Sequence, residues 1–309
     1  MRKLFLENAY VGKPSAGRIV FVILNTLAVL ILSFLFLAPY LNILAKSLNT
    51  GKDTMLGGLT FWPREFTWDN FNVVLLDKTT YSGLIVSALR VVIGASFALV
   101  IQFAAAYVLL QRGLPGKKFL VMLFTIPMFV SGGLVSQYIW YAKLGVYNTF
   151  FVYILPGAFS FYNLVVMRTY MNGIPDSLLE SARLDGATEL KILFRIMMPL
   201  CKPIIATVFL WLAVAHWNNW TDTLYFVTNR RLYTLQYNLQ MGAKKAATLQ
   251  EMIQNAIQSG RPLGDVDLST TTESIQAAQI IVATLPIVCL YPFVQKYFIS
   301  GVMLGSVKE

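Results

Sequence analysis

Charge is scarce in this chain. Asp, Glu, Lys and Arg make up 13% of its 309 residues, where a soluble domain carries about 25%. With 56% hydrophobic residues and a mean hydropathy of +0.60, the deficit excludes an ordinary water-facing surface. It points to one membrane domain with the bilayer as solvent. Histidine is nearly missing too: His216 stands alone beside two cysteines, Cys201 and Cys289. That excludes a zinc or haem site built from these ligands and any disulfide framework. His216, next to Trp217, fits a structural or lumen-facing polar residue better than a proton relay. Asp and Glu are absent from the middle of every apolar stretch, and no internal repeat is visible. An ion-coupled secondary transporter would need one or the other. A membrane-embedded enzyme would need paired carboxylates, a metal cluster or a nucleophile–base pair, and none occurs at usable spacing. A phosphate-binding loop, with its Gly-rich turn and Lys-Ser/Thr, is likewise missing. The net charge of +10 is spread along the chain rather than clustered on a soluble module. It suits topology signals and anionic headgroups, not nucleic acid.

What is present is apolar length. A membrane-crossing helix needs about 20 mostly apolar residues. Six stretches meet this: Arg18–Lys46, Tyr81–Gln111, Phe119–Ala142, Phe151–Asn172, Ile204–Val227 and Ile275–Ser300. The expected fold is therefore all-α and polytopic, with six transmembrane helices. Residues 1–17 form a polar, basic tail without a cleavage site, 18–300 the membrane domain, and 301–309 a second short tail. Placing the N-terminus inside puts 14 of the 25 Lys and Arg on the cytoplasmic side and ten outside, with Arg90 inside the second span. The positive-inside rule then gives both termini as cytoplasmic. Long external loops, 49–80 and 228–274, join spans one to two and five to six. The second contains Ala243–Ser259, with Leu249, Met252, Ile253 and Ile257 near helical spacing. Such long connections are usually functional.

The segment between spans four and five, 173–203, is amphipathic where a polar loop would suffice. Pro175 suits a first helical turn. Asp176 and Glu180 sit near its positive end. Leu178, Leu179 and Ala182 can share a face, and Gly186 suits a left-handed helix end. A second helix starts near Thr188, with Leu190, Leu193, Phe194 and Met197 at i, i+3, i+4, i+7. Pro199 and Pro203 mark the return to the membrane. The expected structure is a helix–turn–helix at the membrane surface, presenting an apolar ridge.

This segment resembles the cytoplasmic coupling motif of binding-protein-dependent ABC importers, written E-A-A, three residues, G, nine residues, I, one residue, L-P. Here Glu180, Ser181, Ala182, Gly186, Ile196, Met198 and Pro199 fall at that spacing, with Ser181 and Met198 as conservative departures. Asp185 beside Gly186 is also similar to the family. FVSGGLVSQYIWYAKLGVYNT at 129–149, WNNWTDTLYFV at 217–227, YTLQYNLQ at 233–240 and GVMLGSVKE at 301–309 resemble the oligosaccharide and polysaccharide branch of the maltose-type permeases. The coupling motif is shared with importers of other solutes, so another solute class stays open. The resemblance implies a second homologous permease chain in a heterodimer, two ATPase subunits and an extracytoplasmic solute-binding protein. It implies no cofactor on this chain, ATP and Mg residing on the ATPases. It assigns Glu180, Ser181, Ala182, Asp185, Gly186, Ile196 and Pro199 to ATPase coupling. Glu180 is expected to meet a basic residue or helix end of the ATPase, and Ala182 to be small because a partner approaches there.

Carbohydrate sites combine aromatic faces with hydrogen-bonding side chains. By type, Gln102, Tyr138, Trp217, Asn218, Asn219 and Trp220 are the candidates for the sugar pathway. Each has a plainer role open to it: the aromatics as membrane-interface anchors, Gln102 as a bond to a neighbouring helix. Arg90 is expected to snorkel or to face the bundle, because a lipid-exposed Arg is costly.

Overall fold

The computed structural model describes residues 16–111, 113–244 and 271–306. Most of Ala243–Ser259, with its apolar positions, most of the first tail and residues 307–309 lie outside these residues. The described residues are helical, without a strand; one isolated bridge joins Asn49 to Phe66. In chain order the helices are α1 (Ala16–Ser47), α2 (Gly51–Met55) and α3 (Asp69–Leu76). Then come α4 (Lys78–Leu110), α5 (Lys117–Phe129), α6 (Gly133–Lys143) and α7 (Phe161–Met171). They are followed by α8 (Asp176–Leu184), α9 (Glu189–Leu200), α10 (Lys202–Asn218), α11 (Thr221–Phe226), α12 (235–244) and α13 (Thr272–Ser306).

Three of these, α1, α4 and α13 as far as Pro292, are each long and apolar enough to cross a membrane. Two bent pairs, α5 with α6 and α9 with α10, raise the number to five if each pair is one span. The exposed apolar surface of α1, including Phe21, Leu30 and Phe36, suits lipid rather than water.

The expected spans at 119–142, 151–172 and 204–227 are not continuous helices. The first breaks after Phe129, and α6 leaves at 119° to α5. Gly133 takes φ +75° there, a conformation that an L side chain adopts only at a cost. The second opens with a 3-10 turn, Phe150–Tyr153, and becomes α-helical only from Phe161. Pro156 and Gly157 lie in the gap, and the Ser160 hydroxyl caps α7 by accepting from the Asn163 N–H. The third stops at Asn218, runs extended through Asn219 and resumes as α11. Apolar length alone could not reveal these breaks.

A broken span leaves backbone groups unsatisfied, and an apolar surrounding makes each one costly. The side chains that meet them come from α4. The Gln102 amide donates to Ala158 O at 3.1 Å, in the gap before α7. Arg90 Nη1 donates to Asn219 O at 2.8 Å, in the gap after α10. The Ser87 hydroxyl accepts from Leu235 N–H at 2.9 Å, at the start of α12. All three side chains are buried. Twelve residues of ideal α-helix would turn Gln102 about 120° away from Arg90. The π-helical turn Arg90–Ala95 absorbs about one extra residue, which brings the two to within roughly 20°. The turn thus keeps both side chains on the side of α4 that faces the broken segments.

Arg90 is 2% exposed, so its charge needs a partner. Nη2 is bonded to the Asp222 carboxylate on α11. Nε faces His216 Nδ1 at 3.5 Å, and the guanidinium lies 4.6 Å from the centroid of the Tyr153 ring. Arg90 therefore faces the bundle, and His216 is structural. Gly94 makes room for His216: a Cβ there would sit 2.9 Å from Cε1. On the far side Trp217 Nε1 donates to Ala283 O at 2.9 Å. That carbonyl lies three residues before Pro286, where proline disrupts the helical ladder.

At the end of the bundle where α4 and α13 begin, polar side chains fasten the 48–76 segment to α13. Asn70 donates to Ser47 O and Asn49 O and accepts from Ser274. Lys46 pairs with Glu273 at 2.6 Å.

The weight carried by Arg90 is measurable. Asp222→Ala leaves a buried guanidinium without its carboxylate, which costs about 3 kcal/mol, the lower end of the range for a broken buried pair because Asp222 is partly exposed. Thermal unfolding in nanodiscs should show a clearly lower melting temperature for Asp222→Ala and a smaller loss for Asp222→Asn. A melting temperature unchanged in both would contradict this packing.

Candidate functional site

The α8–α9 segment folds as a helix–turn–helix. Asp176 opens α8 and Arg183 closes it, which places charges of both signs to suit the helix dipole. Gly186 takes φ +76°. The Ala187 N–H bonds Ala182 O at 3.0 Å and the Gly186 N–H bonds Arg183 O at 3.0 Å, the two bonds of a Schellman end. Thr188 then caps α9 by accepting from the Lys191 N–H. α9 meets α10 at 85°, so the segment lies across the end of the bundle.

The apolar residues divide between two surfaces. Leu179, Ala182, Ile192, Leu193 and Met197 are buried in one cluster with Tyr107 and Leu109 of α4 and Met167 and Met171 of α7. Leu184 at 89%, Leu190 at 68%, Leu178 and Phe194 face outward. The expected single ridge is thus an inner seam and a separate outer patch. Ala182 belongs to the inner seam, at 8% exposure. Its small size is explained by packing within this chain, which corrects the expectation of a close partner there. Glu180, Ser181 and Asp185 are exposed, Ile196 is half-buried against the cluster, and Pro199 is exposed at the end of α9.

A polar clamp that the sequence did not reveal fastens the turn to α4. Arg183 Nε pairs with Glu189 Oε1 at 2.9 Å across the turn, and Arg183 Nη2 donates to Gln111 Oε1 at 2.8 Å. Tyr107 Oη donates to the other Glu189 oxygen. The bonds from Arg183, and then from Tyr107, hold the Glu189 carboxyl below its ordinary value against partial burial. With a lowered folded-state value, the clamp is intact at neutral pH and opens only as pH falls through that value, below the usual carboxylate range. An exposed pair of this kind adds about 0–1 kcal/mol to stability, so its weight is positional. A signal was available: Arg183 and Glu189 flank the glycine turn. Their link to Tyr107 and Gln111, however, spans more than 70 residues of sequence.

The pathway candidates do not converge. Gln102 and Trp217 are buried and engaged with backbone, as described above. Tyr138, on α6, is partly exposed and stacks edge-on with Tyr147 at 5.1 Å. Asn218 is exposed. Asn219 spends its side-chain oxygen on Thr221 and on the Asp222 N–H. Trp220 lies 5.7 Å from Lys244 Nζ. A cavity of about 510 Å³ instead opens beside the start of α4, between Arg230, Tyr233, Tyr237, Asn238 and Gln279. None of the six candidates lines it. The YTLQYNLQ stretch was the available signal for it. Among the described residues no cluster of His, Cys, Asp and Glu could hold a metal.

This arrangement is a helical bundle with membrane-crossing helices and a surface helix–turn–helix. Residues 104–303 match the binding-protein-dependent transport system inner membrane component family. The chain belongs to that family and is an ABC transporter permease subunit, not an enzyme. It is similar to Protein LplC of Bacillus subtilis, at 32% identity over 95% of this chain and 96% of that protein. It is also similar to the polygalacturonan/rhamnogalacturonan transport system permease protein YtcP of the same species, at 30% identity over 90% and 95%. Among solved structures, one chain of a bacterial ABC transporter involved in import of the acidic polysaccharide alginate superposes with a TM-score of 0.80. Their identity is 25%, over 93% of this chain and 100% of that one.

The turn geometry gives a direct test. Gly186→Ala meets no neighbour within 4 Å but must hold a left-handed backbone, at about 1–2 kcal/mol. Gly186→Asn should cost less, because Asn tolerates that conformation. Hydrogen exchange across 182–192 should rise in the Ala variant and stay near the parent in the Asn variant; equal exchange in all three would contradict the cap.

Proposed function

We propose that this chain forms one half of the translocation pathway of an ATP-driven importer of oligosaccharides, acidic ones in particular. The α8–α9 segment is the surface on which an ATPase subunit acts. A second homologous permease chain completes the pathway, two ATPase subunits carry ATP and Mg on the cytoplasmic side, and a solute-binding protein delivers the sugar outside. The chain crosses the bacterial inner membrane six times with both termini cytoplasmic, with α5–α6, the 3-10–α7 segment and α10–α11 counting as one span each. Glu180, Ser181, Asp185, Gly186 and Pro199 present the contact, and Ile196 holds α9 against the bundle.

The observation that carries this reading is the outer apolar patch of Leu184 and Leu190, held rigid by the Gly186 turn and clamped to α4. Exposed leucines set on a rigid turn suit a surface that a partner covers. Support for the substrate class comes from relatives named for transport of arabinooligosaccharides and of polygalacturonan/rhamnogalacturonan, and from the alginate importer.

The test uses the reconstituted complex. Leu184→Asp with Leu190→Asp should leave membrane insertion and the α4 clamp intact. It should lower oligosaccharide uptake and binding-protein-stimulated ATP hydrolysis at least tenfold, with weaker retention of the ATPase. Uptake at the parent rate would overturn the coupling assignment. Topology is tested separately in a Cys-free background. A cysteine at Trp62 should react with an impermeant reagent added outside, and one at Leu184 only after the membrane is opened. The reverse pattern would overturn the orientation.

A further inference from the structure

We propose that the cavity beside the start of α4 is a saccharide subsite that receives a sugar unit of the incoming oligosaccharide, with Arg230 reading a uronate carboxylate. The proposal rests on the carbohydrate reading above and assigns it a place.

At about 510 Å³ the cavity is in the size range of small-ligand sites, about 300–1,000 Å³. Its chemistry selects the ligand class. A sugar hydroxyl both donates and accepts, so a site for it needs donors and acceptors together, plus an aromatic surface for the C–H face of the ring. Tyr233 and Tyr237 provide the aromatic surface, with ring centroids 4.7 Å apart and planes at 68°. Asn238 and Gln279 provide amides, Asp77 a carboxylate and Arg230 a guanidinium. An acyl chain would find too many polar groups here. A phosphate headgroup has no ring face to lay on Tyr233 and Tyr237.

Two wall groups, Asp77 and Asn238, are fixed before any ligand arrives, which lowers the cost of binding. Asp77 accepts from the Thr79 N–H at 3.1 Å, from the Thr80 hydroxyl at 3.2 Å and from the Thr79 hydroxyl. Burial raises the Asp77 carboxyl, but these bonds outweigh it and keep the group below its ordinary value. It is therefore an ionised acceptor at neutral pH. Asn238 donates to Thr79 O at 2.9 Å, which sets its amide plane. Gly83 lets α12 come this close: a Cβ there would lie 2.7 Å from Asn238 Nδ2 and 3.1 Å from the Leu235 backbone. Charge then orients the ligand, since a uronate carboxylate is attracted to Arg230 and repelled from Asp77.

The polar surface continues past this cavity. A second one, of about 200 Å³, lies on the other side of α12, and Gln279 lines both. Gln236, Gln240 and Gln276 line the second. A row of amides running between two cavities suits a chain of sugar units better than a monosaccharide.

The test uses the whole complex in nanodiscs, with its binding protein, tetragalacturonate as the acidic probe and galactotetraose as the neutral one. Tyr237→Ala should raise the transport KM for both tetrasaccharides at least tenfold. Arg230→Gln should raise it at least tenfold for tetragalacturonate and less than twofold for galactotetraose. In both variants the affinity for sugar-free binding protein should stay within twofold of the parent. Tyr237→Phe, which keeps the ring, serves as the folding control and should stay near the parent. Unchanged KM in both variants would overturn the subsite. So would a loss of affinity for sugar-free binding protein that matches the KM change, because the cavity would then be a protein-docking surface. If the parent complex couples ATP hydrolysis normally yet moves neither tetrasaccharide, the carbohydrate reading itself fails, and the subsite with it.

Discussion

The fold depends on side chains of one helix satisfying the backbone of others. Where spans break, the freed N–H and C=O groups have no water to turn to, and each left alone costs about 1–3 kcal/mol. Arg90 and Gln102 of α4 answer two such groups, at Asn219 and Ala158, and Ser87 answers a third buried one at Leu235, where α12 begins. The π turn keeps Arg90 and Gln102 aimed at them. Arg90 brings a charge into the bundle, and Asp222, Tyr153 and His216 surround it. α4 is in this sense the post on which the irregular segments hang.

The same helix reaches both ends of the molecule. At one end Tyr107 and Gln111 hold the turn between α8 and α9 through Glu189 and Arg183. At the other, Thr79 lines the cavity and Gly83 lets α12 close on it. A rigid element that touches a surface segment and a cavity is a physical route for linking them, and bonded contacts line it at both ends.

Much of this was legible in the sequence, for identifiable reasons. The apolar lengths of α1, α4 and α13 outweigh any local detail, and a left-handed end at Gly186 follows from a glycine placed between two amphipathic stretches. The motif spacing at 180–199 identified the family by resemblance. The breaks at 130–132, 154–160 and 219–220 escaped because hydropathy counts apolar residues and not hydrogen bonds. The bonds of the aromatic and amide pathway candidates were illegible for a related reason. Residue type says that Gln102 and Trp217 can bond, but not that they bond backbone within this chain. Ala182 was assigned to a partner surface because its place in the inner seam depends on how α8 rolls onto α4 and α7. The cavity lined by Tyr233, Tyr237 and Gln279 joins elements about 40 residues apart, a separation that periodicity does not bridge.

The central claim is that α4 side chains satisfy the backbone of the broken segments. Hydrogen exchange at Leu235, whose N–H is bonded to the Ser87 hydroxyl, tests it most directly. In Ser87→Ala, measured in nanodiscs, the segment carrying Leu235 should exchange about tenfold faster, corresponding to roughly 1.4 kcal/mol for one lost buried bond, while α4 itself keeps its protection. Exchange at Leu235 unchanged from the parent would contradict the account.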